Sequence, residues 1–568
     1  MRSRHGLLPA LTAVLMLLAL NLSAFAQADP PDRVARLNFI QGAVSFLPSG
    51  GDQDDWVSAT LNRPLTTGDR LWADAGGRSE LHIGANAIRI DSSTGISFLN
   101  LDSTTVQIRL SEGSMIVRLR GLDPDNSFEI DTPSLAFTIR RPGDYRIDTH
   151  PDRNVTVVTV RQGEGEAVGG GRSWQIISDQ QAIFTGADVL EYDLKDADAQ
   201  PMSEFDTWAR KRDEREDHVA SVRYVPSGMT GYEDLDANGT WSREPDLGWC
   251  WVPTVIPFGW APYRFGHWVW IAPWGWTWVD DAPWGFAPFH YGRWSYWHTR
   301  WIWVPGPIVA RPVYAPALVA WVGGPGFGVS VAVGHGGIGW FPLGPREVFI
   351  PQYHVSRTYV TNVNVTNTVV NRTTVVNVYE NRGAHTITYV NRNSPGGTTV
   401  VSRDTFVAAR PVAHSMIEVP QRELAAAPVS HEIAAVPERA AVYGAGSRGA
   451  PHPPAAVMNR SVVAVRNPAP EPNNFGPAQN VRTDRPASRP PEPQRNPAVA
   501  PSPGRPADRP QQTPHPQVRL APPVQPPTPA EQKNRQAKQK AWANAHPRNQ
   551  DGQNRKENPD RKGPPHRD

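Results

Sequence analysis

The chain has 568 residues, 57 of them Lys or Arg and 55 Asp or Glu, for a formal net charge of +2. That near-neutrality excludes nucleic-acid recognition by the charge of the chain as a whole, and the length allows roughly two to four domains. A single cysteine, Cys250, excludes an internal disulfide framework.

Arg2 and Arg4 precede an apolar run from Leu7 to Leu22, and Ala24-Phe25-Ala26 or Ala26-Gln27-Ala28 supplies a small-residue cleavage site. This pattern predicts a signal peptide over 1–28 and a periplasmic or secreted mature protein. No second run of about 18 apolar residues follows, so no transmembrane helix is expected after cleavage. No cysteine stands at the cleavage site to carry a lipid.

Residues 33–190 read as a β domain. Apolar and polar residues alternate over Val34–Phe39, Ser79–Ile83, Asn86–Ile90, Val106–Leu110, Ser114–Leu119 and Val155–Val160, with Gly, Asp, Asn or Pro between the runs. The spacing predicts an all-β sandwich or solenoid. Within it, Leu65-Thr66-Thr67-Gly68-Asp69-Arg70-Leu71, Arg78-Ser79-Glu80-Leu81, Val106–Gly113, Phe128-Glu129-Ile130-Asp131-Thr132-Pro133 and Val157–Gly163 follow in order. Over about Leu65 to Gly186 the chain thus resembles the FecR-type periplasmic domain, which implies a place in the cell envelope and, as one alternative, a role in envelope signalling.

Residues 191–230 read as a linker with a short helix. Ser203 is its expected N-cap, with Phe205 and Trp208 on one face. Gly231-Tyr232-Glu233-Asp234-Leu235-Asp236-Ala237-Asn238-Gly239 follows. Asp234, Asp236 and Asn238 match the first half of a Ca²⁺ loop, but position twelve is Pro245 and no helix pair is indicated; the better reading is a tight turn.

Residues 231–351 are the most distinctive part, since 14 of the chain's 21 Trp lie between Gly239 and Pro305. Two words recur. W-x-W-V stands at Trp249, Trp276 and Trp301, and [WF]-A-P-[YF]-x-[FY]-G-x-W runs from Trp260 to Trp268 and again from Phe286 to Trp294; Gly239-Thr240-Trp241 is the tail of an earlier copy. A fixed spacing marks a repeated supersecondary unit, W-x-W sets both rings on one strand face, and Pro and Gly break the chain between short strands. A β-meander with an aromatic face is expected. Its rings are either the core or in part an exposed platform for glycan or protein. The candidate contacts are Trp260, Tyr263, Trp268, Phe286, Phe289, Trp294 and Trp297. Gly231–Leu235, Trp260–Tyr263, Pro273–Trp278, His290–Trp294 and Trp340–Pro345 together resemble uncharacterised exported bacterial proteins in which a FecR-like domain precedes a Trp/Pro/Tyr-rich repeat region.

Gly323–Gly326 lacks the Lys and Ser/Thr of a phosphate loop and reads as a turn, and Gly328–Val333 as a strand. Residues 352–443 alternate Val with Thr and Asn and read as β-prone. From 444 to 568 the chain is Pro-rich and reads as a disordered tail. From Val481 it holds 17 Lys and Arg against 8 Asp and Glu, an excess of +9 that leaves −7 for the rest. Gln532–Ala545 is polar all round and reads as a transient helix.

Catalytic words are lacking. No G-x-S-x-G or metal-type His spacing occurs, Cys250 reads as a buried filler, and adjacent Asp280 and Asp281 point to opposite faces if extended. The expectation is a mostly β, exported, non-enzymatic binding or scaffold protein of the envelope, with no cofactor or metal. Its expected partners are envelope polysaccharide or peptidoglycan, and a protein reached through the Pro-rich tail, with no specific nucleic acid. A FecR-type signalling protein and an envelope hydrolase are the alternatives.

Overall fold

The computed structural model describes residues 29–186, 189–322, 337–380, 388–433, 435–475 and 518–545. The expected signal peptide, the Gly323–Gly326 turn and the Gly328–Val333 strand lie outside them. The protein is mostly β.

Residues 35–196 supply 17 hydrogen-bonded strands. They form two sheets that share one long strand, Thr105–Leu119. Its first half pairs with Thr94–Leu101 and, in parallel, with Ser127–Asp131; its second half pairs with Asn86–Ile90 and Gly143–His150. The sequence pattern had suggested two strands here, Val106–Leu110 and Ser114–Leu119. They are one, bent at Gly113, whose φ of +97° and approach to Thr94 leave no room for a Cβ. Val106, Ile108, Leu110, Phe128 and Ile130 turn inward to an aliphatic core. Their alternating neighbours Gln107, Arg109, Glu129 and Asp131 share the opposite face.

The helix Glu204–Glu216 starts where the sequence places it. The Ser203 hydroxyl accepts from the Asp206 amide in a capping box, and Phe205 stacks on Trp208 with centroids 5.9 Å apart. It is no free linker, because Arg212, Asp213 and Glu216 pair with strand residues of the first module.

Each aromatic repeat is a β-hairpin. Gly239–Glu244 pairs with Gly248–Pro253, Gly266–Ile271 with Gly275–Asp280, and Arg293–Trp297 with Arg300–Val304. In all three, the Trp of G-x-W faces the second Trp of W-x-W: Trp241 opposite Trp251, Trp268 opposite Trp278, Trp294 opposite Trp303. The glycine of the word is explained by that ring. A Cβ at Gly239, Gly266 or Gly292 would fall 2.2, 2.7 or 2.5 Å from an atom of the facing indole. The meander is not one continuous sheet. The first and third hairpins join through Trp251 and Trp303 into four strands, while the middle hairpin pairs only with itself.

Residues 352–443 depart from the β-prone expectation. Arg357–Val365 and Arg372–Glu380 are helices, the first capped by the Ser356 hydroxyl at 3.0 Å from the Tyr359 amide. Tertiary burial of Tyr359, Val360 and Val363 overrides the strand preference of Val and Thr. Nor is this stretch separate from the aromatic module. Phe406 lies 4.4 Å from Trp276 and 5.4 Å from Trp268 between ring centroids, and Thr399–Ser402 adds a strand beside Gly337–Pro342.

The expected disordered tail is placed in its first part. Residues 444–475 run back onto the first module, burying Val457, Val462, Val463 and Ala464. The apolar run Val462–Val465 explains the ordering, since it gives this Pro-rich stretch something to bury. Val518–Leu520 then pairs in parallel with Val462–Ala464, and Pro529–Ala545 is a helix. Residues 476–517 and 546–568 lie outside the described residues.

Candidate functional site

Six of the seven aromatic residues expected to form a binding face are core. Trp260, Tyr263, Trp268, Phe286, Phe289 and Trp294 are all buried, and only Trp297 is partly open, its indole donating to Glu244 at 3.1 Å. The two copies of the A-P word pack on each other: Tyr263 meets Phe289 edge-on at 5.0 Å and donates its hydroxyl to the Phe289 carbonyl at 2.8 Å. The hollow lined by Trp274, Trp276, Trp321 and Tyr353 holds about 20 Å³, room for a water but not for a sugar ring. Burial therefore corrects the platform expectation. Asp280 points inward and Asp281 outward, the opposite-face arrangement read from their adjacency. Cys250 is buried, and burial pushes its thiol up to about 12.

The charged residues of the Gly231–Leu235 word do not form a calcium loop. Asp234 pairs with Arg36 at 2.6 Å, Asp236 accepts from the Ala220 amide and the Ser221 hydroxyl, and Asn238 donates to the Asp234 carbonyl. Leu235–Asn238 is a helical turn, and each of the three side chains is engaged by a different partner. Glu233 enters the first module. Its carboxylate lies 2.5 Å from His82 Nδ1 and 3.0 Å from Arg36. His82 Nε2 is 3.2 Å from Glu80 and 3.6 Å from Glu216, while Arg89 and Arg212 occupy the Glu80 oxygens.

Glu80, His82 and Glu216 bring ligand-type atoms within 4.8 Å of one another. The guanidinium groups already on Glu80 and the carboxylates on both His82 nitrogens make the cluster an ion-pair network rather than an open ligand set. Burial alone would push His82 down, but Glu233 and Glu216 outweigh it and hold the imidazole well above its ordinary value. Burial would likewise raise Glu233, yet His82 and Arg36 bring it down to about 2. The imidazolium with Arg36, Arg89, Arg120 and Arg212 balances Glu80, Asp213, Glu216, Glu233 and Asp234.

A cleft between the modules adjoins this network through Arg120. The cleft holds about 350 Å³ and is lined by Asp32, Arg33, Asn86, Arg120, Asp123 and Asn126 of the first module and by Tyr232 and Arg311 from the second part of the chain. Arg120 belongs to both the network and the cleft wall, reaching Glu216 at 3.3 Å and the Ala85 carbonyl at 2.9 Å. Arg311 pairs with Asp123 at 2.9 Å, and Arg33 Nε donates to the Asp102 carbonyl at 2.6 Å. Of the lining residues Arg33, Asn126 and Ser127, the atoms Nη2, Oδ1 and Oγ are hidden from solvent and make no hydrogen bond among the described residues. Burial lowers the Arg33 pKa and raises that of Asp32.

Apart from Asp234, matched to a Ca²⁺-loop position, none of these residues was singled out in the sequence. A signal was present. Glu80 and His82 share one face of their strand, opposite the inward Leu81 and Ile83, and their complement is the charged run Arg210–Asp217 of the helix.

Comparison with known proteins adds the following. Residues 232–347 match the model of a family of unknown function, DUF6600. The match opens on Tyr232, at the cleft wall, and spans the three hairpins. No curated protein matches the chain. Two solved structures of a Parabacteroides distasonis ATCC 8503 protein, described as an anti-sigma factor, are similar to it at 16% and 14% identity, each with a TM-score of 0.21 and each over 23% of this chain. The chain spans 61% of the length of those structures.

Among the described residues no helix is long and apolar enough to cross a membrane.

Proposed function

We propose that the protein is a non-enzymatic binding protein of the cell envelope, and that its ligand seat is the cleft between the modules rather than the aromatic face. One observation carries the reading: a cleft of about 350 Å³ gathers the polar residues Arg33, Asn86, Arg120, Asn126, Ser127 and Arg311 around one space. A concave pocket with a few convergent polar groups is the default seat of a small ligand. Arg33 and Arg311 stand beside Asp32 and Asp123, and Arg120, whose charge is met by Asp213, Glu216 and Asp217, adds a third guanidinium to the wall. Guanidinium groups suit an anionic group, while the amide and hydroxyl oxygens suit ligand hydroxyls. An acidic sugar unit of an envelope glycan has both and fits the volume.

Calorimetric titration with N-acetylmuramic acid and with its neutral counterpart N-acetylglucosamine tests this. The acid should bind, and Arg33→Met should weaken it about tenfold or more. Equal affinity for the two sugars, or for wild type and R33M, would sink the reading.

A second reading, regulation of envelope signalling, is supported by the FecR resemblance over Leu65–Gly186. Co-purification with an inner-membrane partner, undiminished in R33M, would favour it.

A further inference from the structure

The polar face of the first module is covered by the chain's own residues 457–474. Gln107 and Arg109 on one strand lie in parallel register with Glu129 and Asp131 on the next. A sheet face this polar is normally solvated, yet all four residues are buried. The covering segment leaves a helical turn over Ala455–Met458, is extended over Val462–Ala464, and is held through its backbone. Glu129 accepts from the Val465 amide at 2.8 Å and the Arg466 amide at 3.2 Å, and takes the Arg466 guanidinium at 2.5 Å. Gln107 donates to the Arg466 carbonyl at 3.1 Å, and Arg109 to the carbonyls of Val457 and Arg460. The Val463 amide donates to the Thr132 carbonyl at 2.9 Å, and Arg460 pairs with Glu112 at 2.9 Å.

Such a face reads an extended strand by its amides and one arginine by a buried carboxylate. Backbone hydrogen bonds supply affinity in this mode and side-chain contacts supply specificity. The fit is also incomplete within the groove: Asp131 Oδ1 and Gln107 Oε1 are buried without partners among the described residues. The occupant is continuous with the aromatic module, whose core holds Ala441 and Val442, and it crosses to the first module near Ser58 and Ser447.

We propose that this face is a docking groove for an extended arginine-bearing segment, and that a second copy of this chain, donating its own residues 457–474, is the partner. The resident segment closes the groove in cis. The same contacts made in trans link two chains without any new interface, as in domain swapping. Cis closure has the advantage of effective concentration, so dilute wild-type protein stays closed.

The test uses the full-length chain with Arg466→Glu, which loosens the segment and leaves the groove residues intact. A fluorescent peptide of residues 457–475 should bind R466E about tenfold or more tighter than wild type, whose groove is filled. Adding Glu129→Gln to R466E should remove that binding. R466E mixed with the E129Q chain, which keeps Arg466 in its segment, should sediment as a heterodimer, while either alone stays monomeric. Hydrogen exchange over 457–466 reports whether the segment has opened in R466E. Fast exchange there without peptide binding overturns the proposal, as does equal binding by R466E and wild type. Peptide binding without heterodimers overturns the second copy as partner. Failure of the muramic acid titration leaves this inference untouched, because the groove and the cleft share no residue.

Discussion

The two modules solve the same problem with different materials. In the first, Val, Ile and Leu alternate along strands that are long or widely paired, and the continuous ladder fixes their register. In the second, the strands are only five or six residues long and the rings carry the burial. Each large indole also brings an N–H to satisfy. Four do so on backbone carbonyls: Trp251 donates to Leu235, Trp294 to Pro288, Trp303 to Tyr291 and Trp340 to Tyr263, while Trp268 Nε1 is buried without a partner among the described residues. The lesson is that a short hairpin can hold a core if its aromatic residues are anchored at both ends, ring against ring and nitrogen against backbone.

The largest blow to that arrangement is Trp268→Ala. Its ring lies within 5.5 Å of Trp278, Trp321, Trp340 and Phe406, so about 3–5 kcal/mol should be lost. Calorimetry should show the aromatic module melting early while the first module melts as before; a single shifted transition would mean that the two cores are not distinct.

Arg36→Ala attacks what joins them. Leaving Asp234 buried without its cation and Glu233 with His82 alone should cost about 3 kcal/mol, and limited proteolysis should then cut between residues 216 and 239. Unchanged proteolysis would show that the network is not the clasp.

Gly266→Ala asks whether the glycine exists for the ring. A methyl there would lie 2.2 Å from the Val279 carbonyl and 2.7 Å from the Trp278 ring, for a loss of about 2 kcal/mol. If adding Trp278→Leu relieves none of it, the facing indole is not the reason for the glycine.

The pH dependence is gentler. The His82 contribution is fully present below its ordinary value of 6.5 and is lost as pH rises through the raised folded value. That of Glu233 is present above 4.5 and fades as pH falls toward about 2. His82→Gln should flatten the alkaline limb of a melting-temperature profile and also shrink the acid limb, because His82 is part of what holds Glu233 down.

The hairpins were legible because G-x-W and W-x-W-V are local words, and each constrains its own strand. The helices at 357–365 and 372–380 were not, since Val-x-Val-x alternation imitates a strand. The deciding residues are Asn364, which ties to the Phe349 backbone, and Asn367, which donates to the Val313 carbonyl; both partners are remote in sequence. The junction was hidden for the same reason. Arg36 and Glu233 are 197 residues apart, and periodicity carries no information across that distance. The aromatic words were correctly located but assigned to the surface in part, because a Trp-rich strand reads alike whether its rings meet solvent or one another.

The facing indoles have an optical consequence. Trp268 meets Trp278 at 5.4 Å and 69°, and Trp340 at 5.3 Å and 82°. Transitions on rings this close and this inclined mix, so the far-ultraviolet circular dichroism of the native protein should carry a couplet of paired positive and negative bands. The first module holds Trp174 against Phe184 and Tyr192 but has no indole pair among its described contacts, and so lacks this Trp–Trp couplet. The couplet is thus a built-in reporter of one module alone, readable without a label while the other stays dark.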